Sequence, residues 1–364
     1  MIDRRTTLKL MAATGAAAAF DPAARALAKP IVEVTPSRLS RVLFGSCAHQ
    51  DKPQPIWQPI NELNPDLFIF LGDNIYGDTR DMALLAEKYK KLSLKPGFQE
   101  LRSKTPVIAT WDDHDYGEND AGREYPMKQQ SKKIFLDFWQ EPSDSARRRS
   151  RDGIYTSYML GTDKERVQVI LLDLRWDRSP LKHVDATEAK RRDQMAFGPY
   201  LPDTEPGAAM LGENQWNWLE EELKKPAKLR IIGSSLQFIS TFPGWEAWSL
   251  FPSERQRMIR LIEKTRANGA LFISGDTHWA EISCQDDHVP YPLYDFTSSG
   301  LTQTWHNMSP NAYRLPDCMY TQPNFGVIEI DWDVPDPHIV MQARNETGKP
   351  VFEKSLLLSQ LSPF

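Results

Sequence analysis

With 364 residues, 40% of them hydrophobic, the chain can bury one large core or two smaller ones and reads as an ordinary soluble globular protein. A formal net charge of −5 offers no field that would draw nucleic acid or an anionic membrane surface. An anionic substrate would therefore have to be met locally, by metals or a few arginines, and past Pro30 no stretch is long and apolar enough for a transmembrane anchor.

The first segment reads as an address rather than as fold. Arg4-Arg5 precede Thr6-Thr7-Leu8-Lys9, a mild apolar stretch runs from Leu10 to Phe20, and Ala26-Leu27-Ala28 supplies small residues where a signal peptidase reads. This plan predicts a twin-arginine export signal over residues 1–28 and a periplasmic or secreted protein. The implied partner is the twin-arginine translocation machinery, which carries already folded proteins. Residues 29–364 then read as a single catalytic domain, with no strong linker or repeat inside it. Cys47, Cys284 and Cys318 are odd in number, so at most one disulfide forms among them; a Cys284–Cys318 pair would leave Cys47 alone.

Short apolar runs predict buried strands at Arg41–Phe44, Leu67–Leu71, Val107–Ala109, Val167–Leu172, Leu229–Ile232, Ala270–Ile273 and Phe325–Ile330. Between them, Met82–Lys91, Lys128–Phe138, Gln215–Lys225 and Glu254–Ala267 predict helices. The alternation argues for a layered α/β architecture. The polar segments Arg147–Arg151 and Arg178–Gly212 read as loops that frame a cleft.

Four of the apolar runs end abruptly in reactive side chains. Phe44 leads into Gly45-Ser46-Cys47, Leu71 into Gly72-Asp73-Asn74-Ile75-Tyr76, Ala109 into Trp111-Asp112-Asp113-His114-Asp115, and Ile273 into Ser274-Gly275-Asp276-Thr277-His278. Ligand sites in open α/β sheets lie beyond the carboxyl ends of strands, so four such ends, if neighbours in the sheet, would form one pocket. Asp276 and His278, two residues apart, leave an extended segment on the same side, an oxygen and a nitrogen suited to a transition metal. Asp112, Asp113, His114 and Asp115 crowd charge that a cation would compensate, and Asn119 and Asp120 add oxygens that hard cations favour. Cys47 reads equally as a small buried hydrophobe or as a ligand. Tyr76 reads as a packing aromatic, or as a phenolate ligand if a metal lowers its pKa.

In this order, the four motifs resemble those of the PhoD-like alkaline phosphatases, a branch of the calcineurin-like metallophosphoesterases. The resemblance runs from Gly45 to His278 and takes in Asp173-Leu174-Arg175 and the Trp245–Arg255 stretch. It implies a four-layer αββα sandwich of two mixed sheets flanked by helices. It also implies a centre of Fe3+ and Ca2+: Cys47, Tyr76 and His278 on iron, Asp73 bridging, Asp276 and Asn119 toward calcium, and Asp113 as a further ligand. His114 would stand by the phosphate or leaving group, and Arg175 would bind a phosphate oxygen. The implied reaction is hydrolysis of small phosphate monoesters by a metal-activated water, with no serine nucleophile in evidence. Its rivals are a phosphodiesterase or phospholipase on the same metals, and an exported metal-binding protein that has lost catalysis.

Overall fold

The computed structural model describes residues 38–149 and 151–363, so the export signal expected over 1–28 lies outside the described residues. Two large sheets carry the fold. The six-stranded sheet has the order β15-β14-β13-β1-β2-β3. In it, β1 (Arg41–Gly45), β2 (Leu67–Leu71) and β3 (Val107–Thr110) are parallel, and β13 (Asn324–Asp331), β14 (His338–Asn345) and β15 (Pro350–Leu357) extend it antiparallel. The seven-stranded sheet has the order β12-β10-β11-β9-β8-β5-β4. Its parallel centre is β5 (Val167–Leu171), β8 (Leu229–Ser234), β9 (Ala270–Ser274) and β11 (Leu293–Ser298). The strands β4 (Thr156–Leu160), β10 (Ala280–Gln285) and β12 (Arg314–Tyr320) pair antiparallel around it.

The alternation of side chains along a strand explains the layering. On β2, Leu67, Ile69 and Leu71 join a core shared with Val169, Ile231 and Phe272 of the other sheet. Phe68 and Phe70, the intervening residues, pack instead with Trp57, Tyr89, Phe98 and Phe138 from the helices. All five β2 residues are buried, which is why the run reads as continuously apolar. Across the sheets, Phe44 meets Phe296 edge-on with ring centroids 4.9 Å apart. Each fully buried side chain of this size stabilises by roughly 1.5–3 kcal/mol.

Helices at Met82–Ser93, Pro96–Lys104 and Lys128–Phe138 supply one outer layer. The first is capped by Asp81, whose side chain accepts from the amides of Ala83 and Leu84, and it buries Leu85, Tyr89 and Leu92 along one face. Glu213–Leu223 and Pro252–Thr265 bring Trp216, Leu219, Met258 and Ile262 to the core containing β8 and β9. The architecture is the expected αββα sandwich. Among the described residues, no helix is long and apolar enough to cross a membrane.

Two expectations need correction. The 178–212 segment is not all loop: β6 (Lys182–His183) pairs with β7 (Tyr200–Leu201), and a helix spans Ala186–Asp193. That helix buries none of its residues and is held by the Asp185 cap and by Glu188 pairing with Arg191 and Arg192, so it has no apolar period to read. Arg147 does not face a cleft either. It is buried, donating to the carbonyls of Ile154 and Ala109 and pairing with Glu141. Cys47, Cys284 and Cys318 are all free thiols.

Candidate metal centre and active site

The four reactive turns converge, but not as neighbours in one sheet. β1, β2 and β3 adjoin in the six-stranded sheet, whereas β9 belongs to the other, and face-to-face packing of the two sheets closes the site. Glycine permits the approach. A Cβ on Gly275 would lie 2.6 Å from Ser46 Oγ, and Gly72, at φ +100°, would meet Asp112 Cβ at 2.4 Å. The backbone of the reactive residues lies in the left-handed region: Cys47 at φ 63°, Asp73 at 48°, Asp276 at 67° and His278 at 64°. For non-glycine residues that costs about 1–2 kcal/mol each, and such strain gathers at functional sites.

The Asp-Asp-His-Asp run divides its labour. Asp115 turns inward, accepting from the backbone amides of Asp112, Asp73 and Asn74, which ties the β3 turn to the β2 turn. Asp112 accepts from Arg175 Nε at 2.5 Å and Ser235 Oγ at 2.7 Å. Asp113 accepts from the Asp120 amide at 2.7 Å. His114 sets Nδ1 2.7 Å from Asp78 Oδ1.

Donor atoms then group closely. One ligand atom from each of Cys47, Asp73 and His278 lies within 4.8 Å of the others. The same holds for Asp73 with Asp113 and His114, for Asp112 with Asp113 and Asp276, and for Asp113 with Asp120 and Glu246. Cys47 Sγ donates to Asp73 Oδ2 at 3.3 Å, and Tyr76 Oη lies 3.0 Å from His278 Nε2. Asp73 and Asp113 each belong to more than one group, so the groups adjoin.

This much buried acid is electrostatically unfavourable even beside the arginine that pairs with Asp112 and Glu246. Burial, then the neighbouring Cys47, pushes the Asp73 carboxyl well above its usual range; burial and Asp112 do the same to Asp276. Burial raises the Cys47 thiol to about 12 and drives the Tyr76 phenol upward. Burial alone would lower His114, but Asp113, Asp73 and Asp78 outweigh it and carry it to about 11. His278 falls to about 4 through burial and the nearby His114. Asp73 Oδ1, Asp112 Oδ2 and Glu246 Oε2 are buried without a hydrogen-bond partner. Unpaired buried carboxylate oxygens beside a thiol, a phenol and an imidazole are the donor set of a cation centre, and these residues fit one.

A profile of the PhoD-like phosphatases matches residues 42–313. The chain belongs to that family. Among solved structures, one of PhoD aligns with a TM-score of 0.63 and 14% identity, covering 92% of this chain and 72% of that one. A dimetal phosphatase from Danio rerio aligns at 0.53 and 14%, covering 88% of this chain and all of its own. At these identities the structural likeness bears on the fold. A search of curated protein sequences finds no significant match. Family membership makes the chain a metal-dependent phosphoric ester hydrolase.

Within this PhoD-like site, the structure brings together Cys47, Asp73, Tyr76, Asp113, His114, Asp276 and His278, and sets two expected residues elsewhere. Asn119 is exposed and lines a surface cavity of about 370 Å³. Asp120, the next residue, carries the oxygen that joins Asp113 and Glu246. Arg175, expected on a phosphate oxygen, has no exposure at all. Its guanidinium is engaged by Asp112, by Glu246 at 2.8 Å and, at 3.7 Å, by Asp113. It is a counter-ion beneath the carboxylates, not a hand on the substrate. Replacing it by Met leaves Asp112 without a cationic partner and Glu246 with Arg178 alone, with an expected destabilisation of about 3–5 kcal/mol. Thermal unfolding measures this, and an unchanged Tm would refute the counter-ion role.

Sequence reasoning missed Glu246 as a site residue. It sits between Trp245 and Ala247 with no strand end before it, and its only flag was the Trp-rich stretch singled out by resemblance. Asp78, which orients His114, and Ser299, 3.2 Å from Cys47 Sγ, carried no signal either. Arg255, in the same Trp-rich stretch, donates to the Phe238 carbonyl and stacks on that ring, a packing role.

Proposed function

We propose that the protein is an exported alkaline phosphatase that hydrolyses small phosphate monoesters. The observation that carries the reading is the run of adjoining donor groups joined through Asp73 and Asp113, with buried oxygens left unpaired. In this reading Cys47, Tyr76 and His278 would hold Fe3+, Asp73 would serve both cations, and the all-oxygen group of Asp112, Asp113 and Asp276 would take Ca2+. Soft and phenolic donors favour the transition metal, and carboxylates the hard cation. When bound, the cations polarise a phosphoryl oxygen and acidify a water. His114, its Nδ1 held by Asp78, keeps Nε2 for the leaving-group oxygen. Residues 1–28 would be the twin-arginine signal and 29–364 one catalytic domain, working in the periplasm or outside the cell.

The test is elemental analysis of protein purified without added metal, with a chromogenic monoester and diester assayed before and after chelation. Iron and calcium, with monoester turnover lost on chelation, are expected. A strong diester preference would replace the phosphatase by a phosphodiesterase. Metal without turnover of either would leave a metal-binding protein. Cys47→Ser is expected to lose iron while keeping calcium, and unchanged iron would return Cys47 to simple packing.

A further inference from the structure

Beside the metal centre stands a large aromatic surface that the hydrolytic chemistry does not use. Trp305 is 43% exposed, one of few large apolar side chains left in water among the described residues. A single exposed tryptophan requires no explanation by itself. Its placement does. The Trp305 ring centroid lies 6.4 Å from the ring of His278 and 5.6 Å from that of the half-buried Trp245, the two indoles inclined at 57°. The two inclined indoles thus lie beside a residue of the donor cluster.

The pair is fixed largely by hydrogen bonds to backbone carbonyls. The Trp305 amide donates to the His278 carbonyl at 2.9 Å, and the Thr302 amide to the Cys47 carbonyl at 3.1 Å. Farther along, Ser309 Oγ donates to the Ala196 carbonyl at 2.7 Å. The loop bearing Trp305 is thus tied at both ends, twice to the turns that carry Cys47 and His278. On the other arm, the Tyr200 amide donates to the Gly244 carbonyl at 2.9 Å, and the Gly198 amide to Pro243. Gly198 and Gly244 approach so closely that a Cβ on Gly198 would lie 2.1 Å from Gly244 O. Trp245 follows Gly244 directly, and Glu246 after it reaches the carboxylate cluster. A rigid loop that holds an indole in solvent next to the reacting centre forgoes burying it; stacking against a bound ligand restores that contact.

We infer that Trp305 and Trp245 form a stacking platform that selects phosphate esters whose leaving group carries a planar aromatic ring, a specificity device resting on the phosphoesterase reading above. Stacking tolerates different ring systems because each presents a π-face, so the platform selects a class rather than one compound. The phosphate end is held at the donor cluster and the ring end lies on Trp305.

The test compares adenosine 5′-monophosphate with ribose 5-phosphate, which share the scissile bond and differ by the base. Wild-type protein is expected to favour the nucleotide by roughly ten-fold in kcat/KM, within the range that stacking on an aromatic side chain supplies. In Trp305→Ala that ratio is expected to fall toward one, and in Trp305→Phe to be largely kept. Saturation transfer from protein to the adenine protons, measured with adenosine 5′-monophosphate, is expected in wild type and lost in Trp305→Ala. A ratio near one in wild type, or a ratio unmoved by Trp305→Ala, would overturn the platform. Should neither compound be hydrolysed after metal reconstitution, the monoesterase reading fails; saturation transfer that depends on Trp305 would still support the platform, and its absence would remove it too.

Discussion

Asp73→Asn is expected to cut kcat by about a thousand-fold or more and to lower the bound metal content. Asp73 is buried, its Oδ2 accepts from Cys47, and its Oδ1 has no protein partner. It is grouped with Cys47 and His278 and also with Asp113, which in turn joins Asp112 and Asp276, so one substitution weakens both cation groups. Asparagine preserves volume but removes the negative charge and turns an N–H donor toward the cations. Losing several kcal/mol of charge stabilisation corresponds to a loss of that size. The chelated protein behaves differently. Without cations the Asp73 carboxylate is buried among Cys47, Asp112 and Asp113, and burial disfavours its charged form. In chelator-treated samples Asp73→Asn should therefore melt no lower than wild type, although it is inactive. Elemental analysis, kcat and paired melting curves check both halves, and wild-type turnover in the variant would end the shared-ligand reading.

The second large effect concerns His114. Its Nδ1 is held by Asp78, its ring lies 4.2 Å from that of Tyr76, and it keeps a little solvent access at 16% side-chain exposure. A positioned general acid contributes roughly 10²–10⁴-fold. His114→Gln is expected to lose that much with an alkyl phosphate, whose alkoxide needs a proton on departure. With an aryl phosphate, whose phenolate leaves unaided, the loss should be much smaller. Metal content should hold, because Cys47, Asp73 and His278 remain grouped without it. Equal losses on both substrates would make His114 a phosphate-binding group instead.

The four motif turns were legible because each follows a short, largely apolar strand, and a buried strand that ends in Asp, His or Cys stands out against its surroundings. β2 matched residue for residue, Leu67–Leu71, and so did the helix Lys128–Phe138. Strands buried on one face only were not legible. β14 alternates buried and part-exposed positions, and β12 is largely exposed, so neither forms an apolar run. Arg175 shows a different limit. Its identity and its place after β5 were visible, but whether an arginine faces substrate or interior depends on which acids surround it. Asp112, Asp113 and Glu246 come from segments far along the chain.

The sequence by itself determined the chemistry: which donor types are present, that they follow strand ends, and the family to which the chain belongs. These are local properties, written in the period of side chains along a strand and in the turn that closes it. Tertiary structure decided the assembly. The packing of two sheets, rather than adjacency in one, brings the β9 turn to β1, β2 and β3. The same packing buries Arg175, substitutes Asp120 for Asn119 beside Asp113, recruits Glu246 and stands Trp305 next to His278. Each of these is a contact between segments distant in sequence. Such contacts depend on how the layers stack, and no local pattern encodes them.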